Sequence, residues 1–213
     1  MKLRLLLATT NRGKLRELHA LLCDLPGLTL LTPEDVGGLP AVVEDGATFE
    51  ANARKKAREL AAAKGVATLA DDSGLEVDAL GGRPGVYSAR YAGAHATDQA
   101  NNEKLLAELA GLKALSDAQR AARFRVVIAF CDPSANPAAP FEHTESGVCE
   151  GSIRLTPSGS DGFGYDPYFG LRGDTRTMAE LPLDEKNRRS HRAQAMQKLR
   201  AFLAGYLRDR ADA

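Results

Sequence analysis

Residues 66–74 read VATLADDSG, a short apolar run followed by two adjacent carboxylates, a hydroxyl and a glycine. The apolar run predicts a buried strand over 66–70. Open α/β sheets bind ligands beyond the carboxyl ends of their strands, so Asp71 and Asp72 are candidate ligands. Adjacent carboxylates suit Mg²⁺, and Mg²⁺ suits phosphates. The alternative is an Asx turn that begins a loop.

Strand and helix patterns alternate before this stretch. Residues 2–8 (KLRLLLA) predict a buried strand, and leucines then recur at helical spacing. Residues 48–64 predict a helix that begins after the N-cap Thr48 and ends at Gly65. The strand over 66–70 follows at once. This alternation predicts a mixed α/β architecture.

Further elements are predicted after the doublet. Helices are expected over 97–110, 116–122 and 190–208, the last with one apolar stripe. RFRVVIAFC (123–131) and FEHTESGVC (141–149) predict two strands. The short link PSANPAAP between them favours an antiparallel pair. The chain has no internal repeats and no long linker, which favours one domain.

Composition bounds the class of protein. The 213 residues are 44% hydrophobic and 26% charged, as in ordinary globular proteins. The net charge is zero, which argues against broad, non-specific binding to nucleic acid or to an anionic membrane. Three widely spaced cysteines favour neither a disulfide framework nor a zinc site. With no signal-peptide pattern and no apolar span of about 18 residues, the sequence predicts a cytoplasmic protein.

Two polar stretches carry candidate phosphate and metal ligands. The first lies between the first strand and its helix, where amides and side chains can hold an anion. It consists of Thr9, Thr10, Asn11, Arg12, Gly13 and Lys14. The glycine spacing is not that of a Walker A loop, and a plain capping loop is the alternative. The second stretch, 44–57, offers Glu44 as a further carboxylate and places Asn52 and Lys56 on one helical face. Glu44 is otherwise a favourable charge near a helix N-terminus.

Two later stretches carry candidate base ligands. GFGYDPYF (162–169) offers Phe163 or Tyr165 for stacking on a base, worth about 1–3 kcal/mol. The alternative is a packed turn with core aromatics. A cluster of polar residues before the last helix could offer several hydrogen-bond donors to one ligand. The alternative is a helix cap with solvated charges. The members of this cluster are Lys186, Ser190, His191 and Arg192. No nucleophile–base pattern stands out, so covalent catalysis has little support.

Together these blocks resemble the Ham1-type inosine triphosphate pyrophosphatases, which hydrolyse non-standard purine triphosphates. The resemblance is carried, in family order, by LATTNRGKLREL (7–18), EDGATFEANA with Lys56, ADDSGLEVDALGGRPGVYSARYAG (70–93), ARFRVVIAF (122–130), GFGYDPYF (162–169) and EK with SHR (185–192). Thr10, Ala51 and Ala193 depart from the family pattern. None of these departures removes a matched carboxylate, lysine, histidine or arginine.

The resemblance implies one ITPase-like domain over residues 1–213, related to the Maf fold. It would have an elongated mixed central sheet flanked by helices, with two lobes and a cleft. The implied reaction converts ITP, dITP or XTP to the monophosphate and pyrophosphate. Water would attack the α-phosphorus with the help of Mg²⁺. A homodimer is also implied, with no nucleic-acid or membrane partner.

The resemblance also implies roles for individual residues. Thr9 to Lys14 would bind the triphosphate and Lys56 would neutralise phosphate charge. Glu44 and Asp71 would hold Mg²⁺, with Asp71 also the proton acceptor, and Asp72 would contact substrate or a second metal. The remaining substrate-binding positions are Ser73, Phe163, Gly164, Tyr165, Asp166, Lys186, His191 and Arg192.

Two other functions compete with this hypothesis. One is a Maf-type pyrophosphatase that prefers modified or pyrimidine triphosphates, which a nucleotide panel would separate. The other is a nucleotide- or RNA-binding module that has lost catalysis. Zero net charge and the retained carboxylates argue against the second alternative.

Overall fold

A computed structural model describes residues 2–113, 116–134 and 139–211. Residues 135–138 of the PSANPAAP link therefore lie outside the described part. The strands are β1 (Leu3–Leu7), β2 (Leu28–Leu31), β3 (Ala67–Val77), β4 (Ala121–Asp132), β5 (Phe141–Ile153) and β6 (Phe169–Leu171). The helices are α1 (Arg12–Leu22), α2 (Phe49–Lys64), α3 (Asp98–Gly111), α4 (Leu183–Arg189) and α5 (His191–Ala211).

The strands form one mixed sheet in the order β2-β1-β3-β4-β5-β6. β1 is parallel to both β2 and β3, whereas β5 and β6 are antiparallel. The α/β class and the mixed sheet with flanking helices are thus confirmed. No helix among the described residues is long and apolar enough to cross a bilayer.

Strand β3 corrects the expectation that the carboxylate doublet ends a strand. β3 continues through Asp71 and Asp72 to Val77, because Leu75 and Val77 are themselves fully buried. Its parallel pairing with β1 nevertheless stops at the pair Leu7 and Leu69. The doublet therefore lies in the middle of β3 but just beyond the carboxyl end of β1.

Helix α2 is confirmed almost residue for residue. The Thr48 hydroxyl accepts a hydrogen bond from the Ala51 amide, which caps the first turn. Gly65 ends the helix in the left-handed region at φ +64°, where glycine is favoured. The ends of the helix that carries Asn52 and Lys56 are therefore fixed by local sequence.

The helix predicted over 116–122 is wrong. A hydrogen-bonded turn leads instead into β4, which already includes Ala121 and Ala122. Two features favour the strand: Ala122 lies in a hydrophobic core, and the buried Arg120 donates from Nε to the Ile153 carbonyl at 2.7 Å. Helical periodicity over so few residues was too weak to outweigh them.

The chain divides into two compact units. The first comprises Met1–Asp72, Val126–Gly147 and Arg192–Ala213, and the second comprises Ser73–Arg125 and Val148–His191. Each has its own hydrophobic core. The first unit's cores include Leu5, Leu69, Phe130 and Leu199 in one cluster and Leu6, Ala57 and Ala129 in another. The second unit's core includes Leu75, Leu105, Phe124 and Phe169.

Candidate active site

In the first unit, the loop after β1 caps α1 with its own side chains. Asn11 Oδ1 accepts from the amides of Gly13 and Lys14, at 2.9 and 3.0 Å. The Asn11 amide in turn donates to Thr9 Oγ1 at 3.2 Å. Asn11 is therefore the N-cap of α1. Because these three amides are used inside the loop, any anion binding here depends mainly on the side chains of Arg12 and Lys14.

A buried chain of alternating charges begins at this helix. Lys14 Nζ lies 3.0 Å from Asp71 Oδ2, and Arg192 Nη2 lies 3.3 Å from the same oxygen. The other guanidinium end, Nη1, donates to Glu17 Oε2. Glu17 and Lys14 are three residues apart on α1, so they share one helical face. Arg192, Glu17 and Asp71 are all nearly inaccessible to solvent.

The charge chain fixes the ionisation of Asp71. Burial alone would raise the pKa of this carboxyl, but Lys14, Arg192 and Lys56 more than offset that effect and hold it well below its ordinary value. Burial also lowers the pKa of Lys14, although Asp71 opposes this shift. Asp71 is therefore an ionised group held between two cations.

Asp72 belongs to a different cluster in the same unit. Its Oδ2 accepts from Asn52 Nδ2 at 2.9 Å, and its Oδ1 lies 3.8 Å from Lys56 Nζ. Lys56 Nζ also lies 3.2 Å from Glu44 Oε1 and donates to the Asp71 carbonyl at 2.6 Å. Successive side chains on a strand point to opposite faces, which sends Asp71 and Asp72 to different neighbours.

The Glu44 and Asp72 carboxylates fit a divalent cation in one respect: a single cation, the Lys56 ammonium, already contacts both of them. Across residues 2–113, 116–134 and 139–211, no group of three or more His, Cys, Asp or Glu side chains is arranged to hold a metal. Two carboxylates are nevertheless enough for Mg²⁺ when substrate phosphates supply further oxygens. Burial, as the largest influence, raises the pKa of Asp72.

In the second unit, the GFGYDPYF stretch separates its aromatic residues. Phe163 is half-buried, and Lys186 Nζ lies 5.0 Å from its ring centre. Tyr165 is a buried core residue whose hydroxyl donates to the Ser88 carbonyl at 2.8 Å. Tyr165 is therefore the packed aromatic of the alternative interpretation, and Phe163 is the more accessible ring of the two.

A buried ion pair holds this stretch to the segment before α5. Lys186 Nζ donates to Asp166 Oδ2 at 2.7 Å, and the same oxygen accepts from the Phe163 amide at 3.0 Å. His191 is also buried and stacks on Phe124, with ring centres 5.0 Å apart. The structure thus brings together Phe163, Asp166 and Lys186. Ser73 lies on the part of β3 that belongs to this unit.

Helix α3 contributes two contacts that sequence reasoning missed. Asp98 Oδ2 accepts from the Gly164 amide at 2.7 Å, and Asn102 Nδ2 donates to the Gly164 carbonyl at 2.9 Å. These partners are more than sixty residues apart in sequence, so no local signal could have joined them. Glu17 was also missed, although its spacing from Lys14 was a usable signal.

Sequence comparisons relate the chain to known proteins over most of its length. The sequence profile of the Ham1 family matches residues 5–202. A dITP/XTP pyrophosphatase of Geobacter sulfurreducens is 51% identical over 200 residues, which are 94% of this chain and 96% of that protein. A dITP/XTP pyrophosphatase of Bacillus subtilis is 46% identical over 198 residues, which are 93% of this chain and 96% of that protein.

A solved structure shows the same likeness in three dimensions. A HAM1 protein from Coxiella burnetii superposes with a TM-score of 0.82 at 41% identity, covering 95% of this chain and 99% of that one. The predicted family and the predicted fold class are both confirmed. Since the profile and the relatives span nearly the whole sequence, this chain belongs to the Ham1 family.

Proposed function

We propose that this chain hydrolyses dITP, XTP and ITP to the nucleoside monophosphate and pyrophosphate. Membership of the Ham1 family supports the reaction class, because relatives in that family are named dITP/XTP pyrophosphatases. The observation that carries the proposal is the Lys56 ammonium in contact with the Glu44 and Asp72 carboxylates. A metal–triphosphate substrate requires both carboxylates for the metal and ammonium groups for the phosphates.

We assign the Mg²⁺ site to Glu44 and Asp72. The family resemblance implies a pairing of Glu44 with Asp71, but Asp71 Oδ2 already contacts Lys14 and Arg192. Asp72, by contrast, shares the Lys56 ammonium with Glu44. When bound, Mg²⁺ would offset charge on the phosphate oxygens and make water more acidic.

The chain's own residues supply the remaining chemistry. Lys14 and Lys56 steady the leaving pyrophosphate, whose negative charge grows in the transition state. We assign the proton acceptor to Asp72 and not to Asp71, to which the resemblance assigns it, because Asp71 Oδ2 contacts Lys14 and Arg192. Asp72 Oδ1 would accept the proton of the attacking water, while Asn52 holds Oδ2 of the same carboxylate. Asp71 keeps Lys14 in place, and Arg192 and Glu17 keep Asp71 in place.

For recognition of the base we propose Phe163, Lys186 and His191. Phe163 offers a half-buried ring for stacking on the purine. Lys186 and His191 offer donors to O6 of hypoxanthine or xanthine, and adenine carries a donor at that position. A site with polar groups left unpaired can reject a ligand by about 10⁴–10⁵ in favourable cases. The resemblance implies that Arg192 also contacts the base, but we leave it out of this group because its guanidinium donates to Glu17 and Asp71.

Pyrophosphate release from a panel of nucleotides tests this proposal. With Mg²⁺ present, dITP, XTP and ITP should be hydrolysed far faster than dATP and dGTP. Equal or faster turnover of dATP would refute the specificity, and a preference for pyrimidine or modified triphosphates would favour a Maf-type activity. Binding of dITP without hydrolysis would favour a binding module.

The physiological setting is part of the same proposal. We propose a cytoplasmic homodimer, on the strength of the family resemblance. Sedimentation of the purified protein gives the oligomeric state, and a monomer at the concentrations used for catalysis would overturn the dimer.

A further inference from the structure

Asn52 is a fully buried polar residue on α2 in the first unit. Its Oδ1 accepts from the Gly46 amide at 2.8 Å, and its Nδ2 donates to Asp72 Oδ2 at 2.9 Å. Gly46 follows Glu44 by two residues in the segment before α2. One amide group therefore links the segment that carries one carboxylate to the side chain of the other.

Both bonds demand the same orientation of the Asn52 amide. A backbone N–H can only donate, so Oδ1 must face Gly46, and an ionised carboxylate only accepts, so the NH₂ group must face Asp72. A Cβ added to Gly46 would lie 2.6 Å from Asn52 Oδ1 and 2.8 Å from Ala51 Cβ. Only glycine permits this close approach of the backbone to the Asn52 side chain.

We propose that Asn52 is a positioning residue that presets a divalent-cation site by fixing Glu44 and Asp72 relative to each other. This inference rests on the proposed function, in which those two carboxylates hold Mg²⁺. The Lys56 ammonium contacts both carboxylates and offsets part of the repulsion between them. Asn52 donates a hydrogen bond to Asp72 and accepts one from Gly46, in the segment that carries Glu44. These two bonds oppose the remaining repulsion and limit the movement of both carboxylates.

Binding of Mn²⁺ to the nucleotide-free protein tests the inference without using catalysis. Free Mn²⁺ is followed by electron paramagnetic resonance during titration of the wild type and of Asn52→Ala. Loss of hydrogen-bonding partners behind metal ligands typically weakens metal affinity by about 10–100-fold, and we expect a rise in Kd of that size. Gly46→Ala, which displaces the amide but keeps it, should raise Kd in the same direction.

Asn101→Ala is the matched control. Asn101 is also a buried asparagine on a helix, with Oδ1 accepting from the Ala92 amide at 2.8 Å and Nδ2 donating to the Ala89 carbonyl at 3.3 Å. It therefore bridges helix and backbone as Asn52 does, but within the described part of the chain it has no hydrogen bond to a carboxylate. We expect its removal to lower stability as Asn52→Ala does and to leave the Mn²⁺ Kd unchanged.

The outcomes separate this inference from the proposed function. An Asn52→Ala protein that binds Mn²⁺ as the wild type does would overturn the positioning role, as would a wild type that binds no Mn²⁺. If Asn52→Ala does not fold, an unchanged Kd in Gly46→Ala overturns it instead. A third outcome is possible, in which the wild type hydrolyses no triphosphate but Asn52→Ala and Gly46→Ala still bind Mn²⁺ more weakly than the wild type. That result would refute the proposed function and keep the positioning role of Asn52.

Discussion

Replacing Glu17 with Gln should destabilise the first unit strongly. Lys14, Asp71, Arg192 and Glu17 carry two positive and two negative charges, so the substitution leaves one uncompensated positive charge in a buried cluster. Glu17 and Arg192 are 3% and 1% exposed, so solvent screens that charge poorly. Removing one partner of a buried pair costs about 3–5 kcal/mol. Since Asp71 still neutralises part of the charge, we expect the free energy of unfolding to fall by about 3 kcal/mol.

Urea unfolding followed by circular dichroism measures this loss. With a denaturant slope of about 1–3 kcal/mol/M, the midpoint should fall by at least about 1 M. Asp24→Asn is the control, because it removes the exposed partner of the Arg200 ion pair, and exposed pairs contribute little. A Glu17→Gln midpoint no lower than that of Asp24→Asn would refute the view that an uncompensated charge in this buried cluster destabilises the fold.

Four further outcomes are expected. Phe163→Ala should raise KM for dITP by about 5- to 150-fold, since base stacking is worth about 1–3 kcal/mol. Tyr165→Phe removes the hydrogen bond to Ser88, so it should lower the free energy of unfolding in urea by about 0.5–1.5 kcal/mol and leave KM for dITP unchanged. A raised KM in Tyr165→Phe together with an unchanged KM in Phe163→Ala would assign base stacking to Tyr165 instead. Asp72→Asn should lower kcat for pyrophosphate release by about 10²–10⁴-fold, and near-normal turnover would remove Asp72 as the base. The pKa of Asp71 is lowered on folding, so its ionised form stabilises the fold above its ordinary value of 3.8, and this contribution is lost as the pH falls below it. Urea midpoints at a series of pH values should therefore show the gap between wild type and Asp71→Asn closing only in that acid range, and a gap that widens there contradicts the sign.

Local signals in the sequence predicted the elements that carry the first unit's site. Thr48 and Gly65 fix the ends of α2 through a side-chain cap and a left-handed turn, and both signals are visible in single residues. That precision places Asn52 and Lys56 on the helical face that meets β3. The family resemblance added the residues whose individual signals were ambiguous.

The carboxylate doublet shows where local signals fail. The apolar run before Asp71 marks a strand, but nothing local shows that β3 continues to Val77 as part of a second core. Once the strand continues, alternation of side chains separates Asp71 from Asp72. The division of roles therefore depends on which helices cover each face of the sheet, which is a property of tertiary packing.

Residues distant in sequence explain the remaining gaps. Tyr165 and Phe163 are similar aromatic residues in one turn, and only tertiary contacts, such as the bond to Ser88, distinguish Tyr165 as a core residue. Asp98 and Asn102 hold the backbone of Gly164 across a long sequence separation. Such contacts carry no periodicity or motif that a single sequence could reveal.

The bond that is broken tests the central claim most directly. The protein is allowed to hydrolyse dITP in H₂¹⁸O with Mg²⁺, and the products are analysed by mass spectrometry. Attack of water on the α-phosphorus predicts one heavy oxygen in the monophosphate and none in the pyrophosphate. Label in the pyrophosphate, or release of inorganic phosphate from the triphosphate, would contradict the proposed reaction.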